Sequence, residues 1–270
     1  MEKTLNPQDV PSAYRRLTED YDRIIERQPF FINAYALYDK LLGAILNGRR
    51  FGRILDLGCG NGAQTVRLAR HGDEVVGLDI AEDLLAVARE RCRNLPNVQF
   101  VKEDARKLPF PDQSFDCIVS YGDVLSHIVD GYEQALAEIS RVTKPGAVFS
   151  FEVDNKWNAG MLYKPGELRD AVSIAGRGHD TREWEGMRFK TFTYHEIFRL
   201  LDRNGFDVAA CHGHNILASF IPDRYVLEQD RRTGWGRLAL ALGRIDLALS
   251  GLYPFNRLGF NFMIVARRRR

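Results

Sequence analysis

Apolar residues recur at helical spacing through residues 8–47 (Tyr14, Leu17, Tyr21 and Ile24, then Tyr35, Tyr38, Leu41, Leu42 and Ile45). This spacing predicts two amphipathic helices, an N-terminal cap ahead of the main fold. From Arg53 the period changes. Short apolar runs at 53–57, 74–78, 98–101, 117–120 and 147–153 alternate with helical stretches that start at Ala63 and cover 81–93 and 132–142. Strands that alternate with helices in this way imply βαβ units and a parallel sheet. Gly72 is placed to end the first of these helices, and Lys144-Pro145-Gly146 fits a type II turn before the fifth strand. A helix over 194–204, a strand over 206–210 and a last strand over 260–265 complete the pattern. The segment of about fifty residues between those two strands is far longer than an ordinary connection, and its stretch 238–249 reads as an apolar helix.

The predicted fold is α/β: a Rossmann-like three-layer sandwich around a seven-stranded, mostly parallel sheet, with an N-terminal helical cap and a helical insert between the last two strands. One domain spans 1–270, divided into a cap (1–50), a ligand-binding core (51–155), substrate or lid segments (156–192 and 218–258) and a last strand with a basic tail (259–270). A chain of 270 residues that is 45% hydrophobic can bury such a core.

The chemistry concentrates where the first strand ends, in Ile54-Leu55-Asp56-Leu57-Gly58-Cys59-Gly60-Asn61-Gly62. Glycines at a strand-to-helix turn let backbone approach a ligand at a helix N-terminus. Gly58-x-Gly60-x-x-Ala63 also satisfies the dinucleotide fingerprint, so the loop alone does not choose between a nicotinamide cofactor and another nucleoside. Asp79 ends the second strand about twenty residues on, where a carboxylate can accept from both ribose hydroxyls. Two features separate the readings. Asp56 would oppose a pyrophosphate on this loop and attract an ammonium and a sulfonium. After the third strand, Asp104 can accept from an adenine amino group while the Ala105 N–H donates to a ring nitrogen.

With these motifs the sequence resembles the class I S-adenosylmethionine-dependent methyltransferases, particularly those that methylate quinones, amines and related metabolites. The resemblance covers 53–153 and resumes at 193–208, carried by LDLGCGNG, VVGLDI, EDARKLPFPDQSFDCIVS and RVTKPGAVFSFEV. It implies S-adenosyl-L-methionine as cofactor, with Gly58, Gly60 and Asn61 at its methionine part, Asp79 and Ile80 at ribose and adenine, Asp104 and Ala105 at adenine, and Tyr121 beside the methyl group. The implied reaction is transfer of a methyl group to an O, N or C nucleophile of a small, apolar or aromatic metabolite. The alternatives are a catalytically silent cofactor-binding or assembly protein of this fold and, less favoured, a nicotinamide-dependent oxidoreductase. Tyr121-Gly122-Asp123 stands where many relatives carry Asn/Asp-Pro-Pro-Tyr, which argues against a nucleobase or glutamine amide as acceptor.

His127 is the candidate general base, weighed against a packing role. Glu152, Asp154, Asn155 and Trp157 at the end of the fifth strand face the same rim. His212 and His214 alternate on a strand and are expected on its solvent side, without a carboxylate at ligand spacing, so no metal is expected. The acceptor pocket is expected over the ends of the fourth and fifth strands, under the cap and the 221–258 insert, drawing on Tyr14, Tyr21, Trp157, Trp235, Leu249, Tyr253 and Phe255.

Composition narrows the partners. With 38 basic and 36 acidic side chains the net charge is +2, so no nucleic acid is expected despite the run of arginines at 267–270. No apolar run approaches the roughly 20 residues of a spanning helix, and no signal-like segment opens the chain, so a cytoplasmic protein without stable membrane insertion is expected, with an oligomer possible. Cys59, Cys92, Cys117 and Cys211 form no CxxC pair and read as buried reduced thiols.

Overall fold

The computed structural model describes residues 24–158, 181–184, 187–221 and 230–270. Residues 24–27 are helical, and Pro29 then opens α1 (Pro29–Leu46) at a position where its missing N–H costs nothing. Of the predicted first cap helix, Tyr14, Leu17 and Tyr21 lie outside the described residues.

The core runs β1 (Phe51–Leu57), α2 (Ala63–Ala69), β2 (Gly72–Asp79), α3 (Glu82–Arg91), β3 (Val98–Lys102), β4 (Phe115–Ser120), α4 (Val124–His127), α5 (Tyr132–Val142) and β5 (Thr143–Asp154). It continues with β6 (Thr181–Trp184), β7 (Met187–Lys190), α6 (Tyr194–Arg203), β8 (Phe206–His214), α7 (Gly234–Leu249) and β9 (Asn261–Arg268). Seven strands form one sheet in the order β3-β2-β1-β4-β5-β9-β8, parallel from β3 to β5, with β9 antiparallel to both of its neighbours. This is the predicted Rossmann-like sheet with the α7 insert between its last two strands in sequence.

Period-two alternation sorts the sheet's side chains between two helical layers. Leu55, Leu57, Ile118, Phe149, Phe151 and Val153 pack with residues of α5 and α6 on one face. Ile54, Val75, Cys117, Val119, Val148 and Met263 meet α1 and Leu68 on the other. The insert helix α7 lies against α1. The approach is close: a Cβ on Gly243 would sit 2.1 to 2.2 Å from the terminal atoms of Asn33. At the start of α6 the Thr193 hydroxyl accepts from the Glu196 N–H while Glu196 accepts from the Thr193 N–H, a capping box.

Three local expectations are corrected, and one segment holds an element that was not predicted. The helix α2 ends at Ala69, and Gly72 begins β2 rather than ending the helix. Lys144-Pro145-Gly146 is part of β5; Gly146 has φ +79° and the β4/β5 register shifts between Phe115 and Cys117, so the turn chemistry makes a bulge inside the strand. The hairpin β6–β7 occupies part of the segment read as substrate or lid without predicted strands. His214 is buried and His212 half-buried, because α7 and the loop after it cover the side of β8 expected to face solvent. His212 Nδ1 lies 3.0 Å from Ser250 Oγ, just beyond α7. All four cysteines are buried free thiols.

Candidate cofactor and acceptor site

The carboxyl ends of β1 and β2 bring the glycine loop and Asp79 together. Gly58, Gly60 and Gly62 have φ of +71°, +51° and +79°, values that L side chains rarely adopt. At Gly58 the constraint is also spatial, since a Cβ there would lie 2.2 Å from a methyl of Val124. Gly60 is different: nothing lies within 4 Å of its would-be Cβ, so the loop's backbone faces open space. The Gly60 N–H donates to Asp79 Oδ2 and the Ala81 N–H to Oδ1, both at 2.9 Å. Asp79 is thus tied to the loop and to the start of α3, and each carboxylate oxygen keeps accepting capacity. Burial raises its pKa despite these bonds. Ile80, next to it, is 41% exposed although strongly apolar. Asn61 is buried, its Oδ1 accepting from the Ala63 N–H at 3.2 Å.

Asp56 lies beneath the loop rather than on its surface. It is 2% exposed, accepts from the Thr65 hydroxyl at 2.6 Å, and burial pushes its pKa up to about 7. Any attraction for a cation therefore grows in as the pH passes neutrality.

Asp104 is half-buried and held by its neighbour. Arg106 Nε lies 3.0 Å from both carboxylate oxygens and the Arg106 N–H 2.8 Å from Oδ1, and this partnership holds the carboxyl below its usual range. An adenine amino group would share an acceptor already bonded to a guanidinium. Ala105 beside it is buried.

Beyond β4 a second group of side chains converges. Ser150 and Glu152 alternate with Phe149, Phe151 and Val153 along β5, so period two turns them toward α1. Tyr121 is buried with its hydroxyl 2.8 Å from Ser150 Oγ, and its ring stacks on Tyr38 of α1 at 4.4 Å between centroids. The Tyr38 hydroxyl donates to Glu152 Oε2, which also accepts from the Gly122 N–H at 3.1 Å. Glu152 is therefore a 3% exposed strand residue, not part of a polar rim loop. Asn155 is buried too and is structural: its amide donates to the carbonyls of Gly259 at 2.8 Å and Arg257 at 3.0 Å. Trp157 remains 40% exposed, Asp154 half-buried.

His127 closes the short helix α4, and burial pushes its pKa down to about 4. It is neutral at physiological pH but a weak base. Trp235 and Tyr253, expected to roof the acceptor pocket, are 47% and 75% exposed. Among the described residues no group of three or more His, Cys, Asp or Glu side chains could hold a metal ion, and no helix is long and apolar enough to cross a membrane.

Residues 54–146, from within β1 to the β5 bulge, match the model of a methyltransferase domain family. Over that stretch the chain is similar to a methyltransferase domain. Over 146 residues it is 33% identical to the demethylmenaquinone methyltransferase of Staphylococcus aureus, an alignment covering 53% of this chain and 59% of that enzyme. The chain thus spans little more than half the length of the curated relatives it matches. The structure of the cyclase SpnF is similar over 98% of this chain and 97% of that one, with a TM-score of 0.66 and 21% identity. The N-methyltransferase NodS of Bradyrhizobium japonicum, solved with S-adenosyl-L-homocysteine, covers 91% of each chain with a TM-score of 0.56 and 13% identity. At these identities the likeness shows the fold.

Over the matched stretch the glycine loop, Asp79 and Ile80 meet at the carboxyl ends of β1 and β2. Tyr38, Asp123 and Asn261 were not singled out from the sequence. Tyr38 reads as an apolar position of an amphipathic helix, and Asn261 lies inside the predicted last strand. The strict alternation Phe149-Ser150-Phe151-Glu152-Val153 was the available signal that Glu152 belongs to a sheet face.

Proposed function

We propose that this protein is an S-adenosylmethionine-dependent methyltransferase acting on a small, apolar or aromatic acceptor. The observation that carries the reading is the junction of the glycine loop with Asp79: open space over Gly60, and beside it a carboxylate with accepting capacity on both oxygens. Gly122, at the end of β4, likewise has φ +84° and nothing within 4 Å of a would-be Cβ, so two backbone stretches border room for a ligand. These residues fit the cofactor: Gly58, Gly60 and Asn61 would hold its amino acid part, Asp79 the ribose hydroxyls, and Ile80 would cover an adenine face. When bound, S-adenosylmethionine supplies a methyl group already activated on a sulfonium. The chain's own task is then to orient the acceptor and exclude water, with a base only where the acceptor must lose a proton. We place the acceptor over the ends of β4 and β5. Above neutrality, where the buried Asp56 ionises, its charge weighs against a pyrophosphate and so against a nicotinamide cofactor.

The fold does not by itself fix the reaction, since SpnF, which shares it, is a cyclase. The deciding experiment combines calorimetry with S-adenosyl-L-homocysteine and transfer of a labelled methyl group to a small-molecule extract. Micromolar binding with a raised Tm and label in an acceptor supports the proposal; at a hundredfold excess over Kd the ligand adds about 2.7 kcal/mol. The absence of both heat and thermal shift refutes it, and binding without label favours a catalytically silent member of the fold.

A further inference from the structure

Two carboxylates lie at the ends of β4 and β5 with no cation paired to either among the described residues. Glu152 bonds to the Tyr38 hydroxyl and the Gly122 N–H. Asp123, held at φ +58°, accepts from the Asn261 amide at 2.7 Å. Among the described residues neither pairs with a lysine or arginine; the one basic group near is His214, whose Nδ1 lies 3.6 Å from Glu152 Oε1. Burial pushes that imidazole down to about 3, so it is neutral and compensates no charge. The other groups around the pair are Tyr38 from α1 and Tyr121 just beyond β4, both with pKa values raised by burial. Buried carboxylates without a cation share protons rather than ionise together. Consistent with this, burial raises Asp123 to about 7, and burial together with the Asp123 charge raises Glu152 well above its usual range.

A second observation points to a ligand. Asn261 and His214 are each 3% exposed, yet Asn261 Oδ1 and His214 Nε2 make no hydrogen bond of good geometry, although Asn261 lies close enough to favour the imidazole's charged form. Such buried polar atoms are uncommon unless something else meets them. The cluster also adjoins the cofactor loop, because Val124, directly after Asp123, packs on Gly58.

We propose that Asp123 and Glu152 form the proton-accepting pair of the acceptor site, and that the acceptor is protic, bearing a hydroxyl or an ammonium at the atom to be methylated. This rests on the methyltransferase reading. Loss of a proton from the acceptor atom, before attack for an ammonium and during it for a hydroxyl, leaves that atom an electron pair that bonds to the methyl carbon, while the carbon–sulfur bond breaks and its electron pair stays on sulfur. The proton on the acceptor atom passes to the pair, which goes from one held proton to two and returns one to solvent afterwards. Tyr38 and the Gly122 N–H position Glu152, and Asn261 positions Asp123. A thioether or other proton-free acceptor would have no use for the pair.

Two measurements on the full chain test this. In infrared difference spectra of the ligand-free protein from pH 5.5 to 8.5, wild type should lose a protonated-carboxyl band, and Glu152→Gln and Asp123→Asn should each remove part of that change. A band unchanged in both variants overturns the pairing. The second measurement is transfer from labelled S-adenosylmethionine to a protein-free small-molecule extract, with S-adenosyl-L-homocysteine affinity and Tm recorded on the same samples. Glu152→Gln should keep cofactor affinity within about threefold and lose about a hundredfold in transfer, the usual size of a general-base contribution. Its near-isosteric amide can still accept from Tyr38, and Asp123→Asn serves as the second variant should the first fail to fold. Unchanged transfer with unchanged rise of rate with pH overturns the proposal while leaving the methyltransferase reading intact. Wild type that binds S-adenosyl-L-homocysteine but labels nothing overturns both.

Discussion

Replacing Asp79 by alanine probes the cofactor site most directly, because its consequences for binding and for folding separate. In the folded protein its carboxylate takes two backbone N–H groups, from Gly60 and Ala81, each at 2.9 Å. In the complex it would also accept from two ribose hydroxyls. A hydrogen bond to a charged group contributes about 1.5–3 kcal/mol, so loss of two at the lower end gives about 3 kcal/mol. At about 1.4 kcal/mol per tenfold, that weakens S-adenosyl-L-homocysteine by a little over a hundredfold. Stability should change less. Two N–H groups lose a partner at about 1 kcal/mol each, partly offset by removing a carboxylate whose burial is unfavourable, which leaves about 1 kcal/mol and a Tm lower by about 2–4 °C. Asp79→Asn keeps one acceptor oxygen and should fall between wild type and alanine in affinity. The assay is calorimetric titration with S-adenosyl-L-homocysteine alongside thermal unfolding. A folded Asp79→Ala protein that binds within threefold of wild type would refute the ribose assignment, whatever its Tm.

Gly58→Ala combines φ +71° with a Cβ 2.2 Å from Val124, so it should cost about 1–3 kcal/mol in Tm-derived stability and weaken cofactor binding. Adding Val124→Ala should recover only the steric part, and full recovery would show that the left-handed backbone is not the constraint. Asp56 carries a pH prediction: its folded pKa of about 7 exceeds its unfolded value near 3.8, so the native state holds the extra proton and stability falls as pH rises between the two. Asp56→Asn should flatten that slope in ligand-free unfolding measured from pH 4 to 8, and a parallel curve for both proteins would contradict the burial argument. Gly243→Ala places a methyl against the Asn33 amide, which donates to Ala239 O at 3.3 Å, and should lower Tm by a few degrees as α1 and α7 part; Asn33→Ala should relieve it, and no change in Tm would mean the helices give way freely. His127→Gln should change methyl transfer less than tenfold, since a base near pKa 4 contributes little at neutral pH; a hundredfold loss at unchanged cofactor affinity would restore it as the base.

Much of the strand and helix order was legible in the sequence because it rests on local periodicity. The apolar run at Ile54–Leu57 and the alternation in Ala147–Val153 each fix which side chains can face a helix, and the glycine loop follows because only glycine tolerates its backbone. Asp79 and Ile80 could be placed for the same reason: both sit at the end of a strand whose neighbours are set by βαβ connection. Local pattern could not say how an element would be bent or what would cover it. Lys144-Pro145-Gly146 has turn chemistry, yet pairing with β4 absorbs it as a bulge. Polar alternation sent His212 and His214 toward water, but α7 and the following loop, distant in sequence, cover them. Glu152 shows the division most clearly. Period two assigns it to a sheet face, while its burial, its bond to Tyr38 from α1 and its proximity to Asp123 and His214 arise only where four separate segments meet. The protonation behaviour of a carboxylate depends on that meeting, since desolvation and neighbouring charge are properties of the packed site and not of the residue.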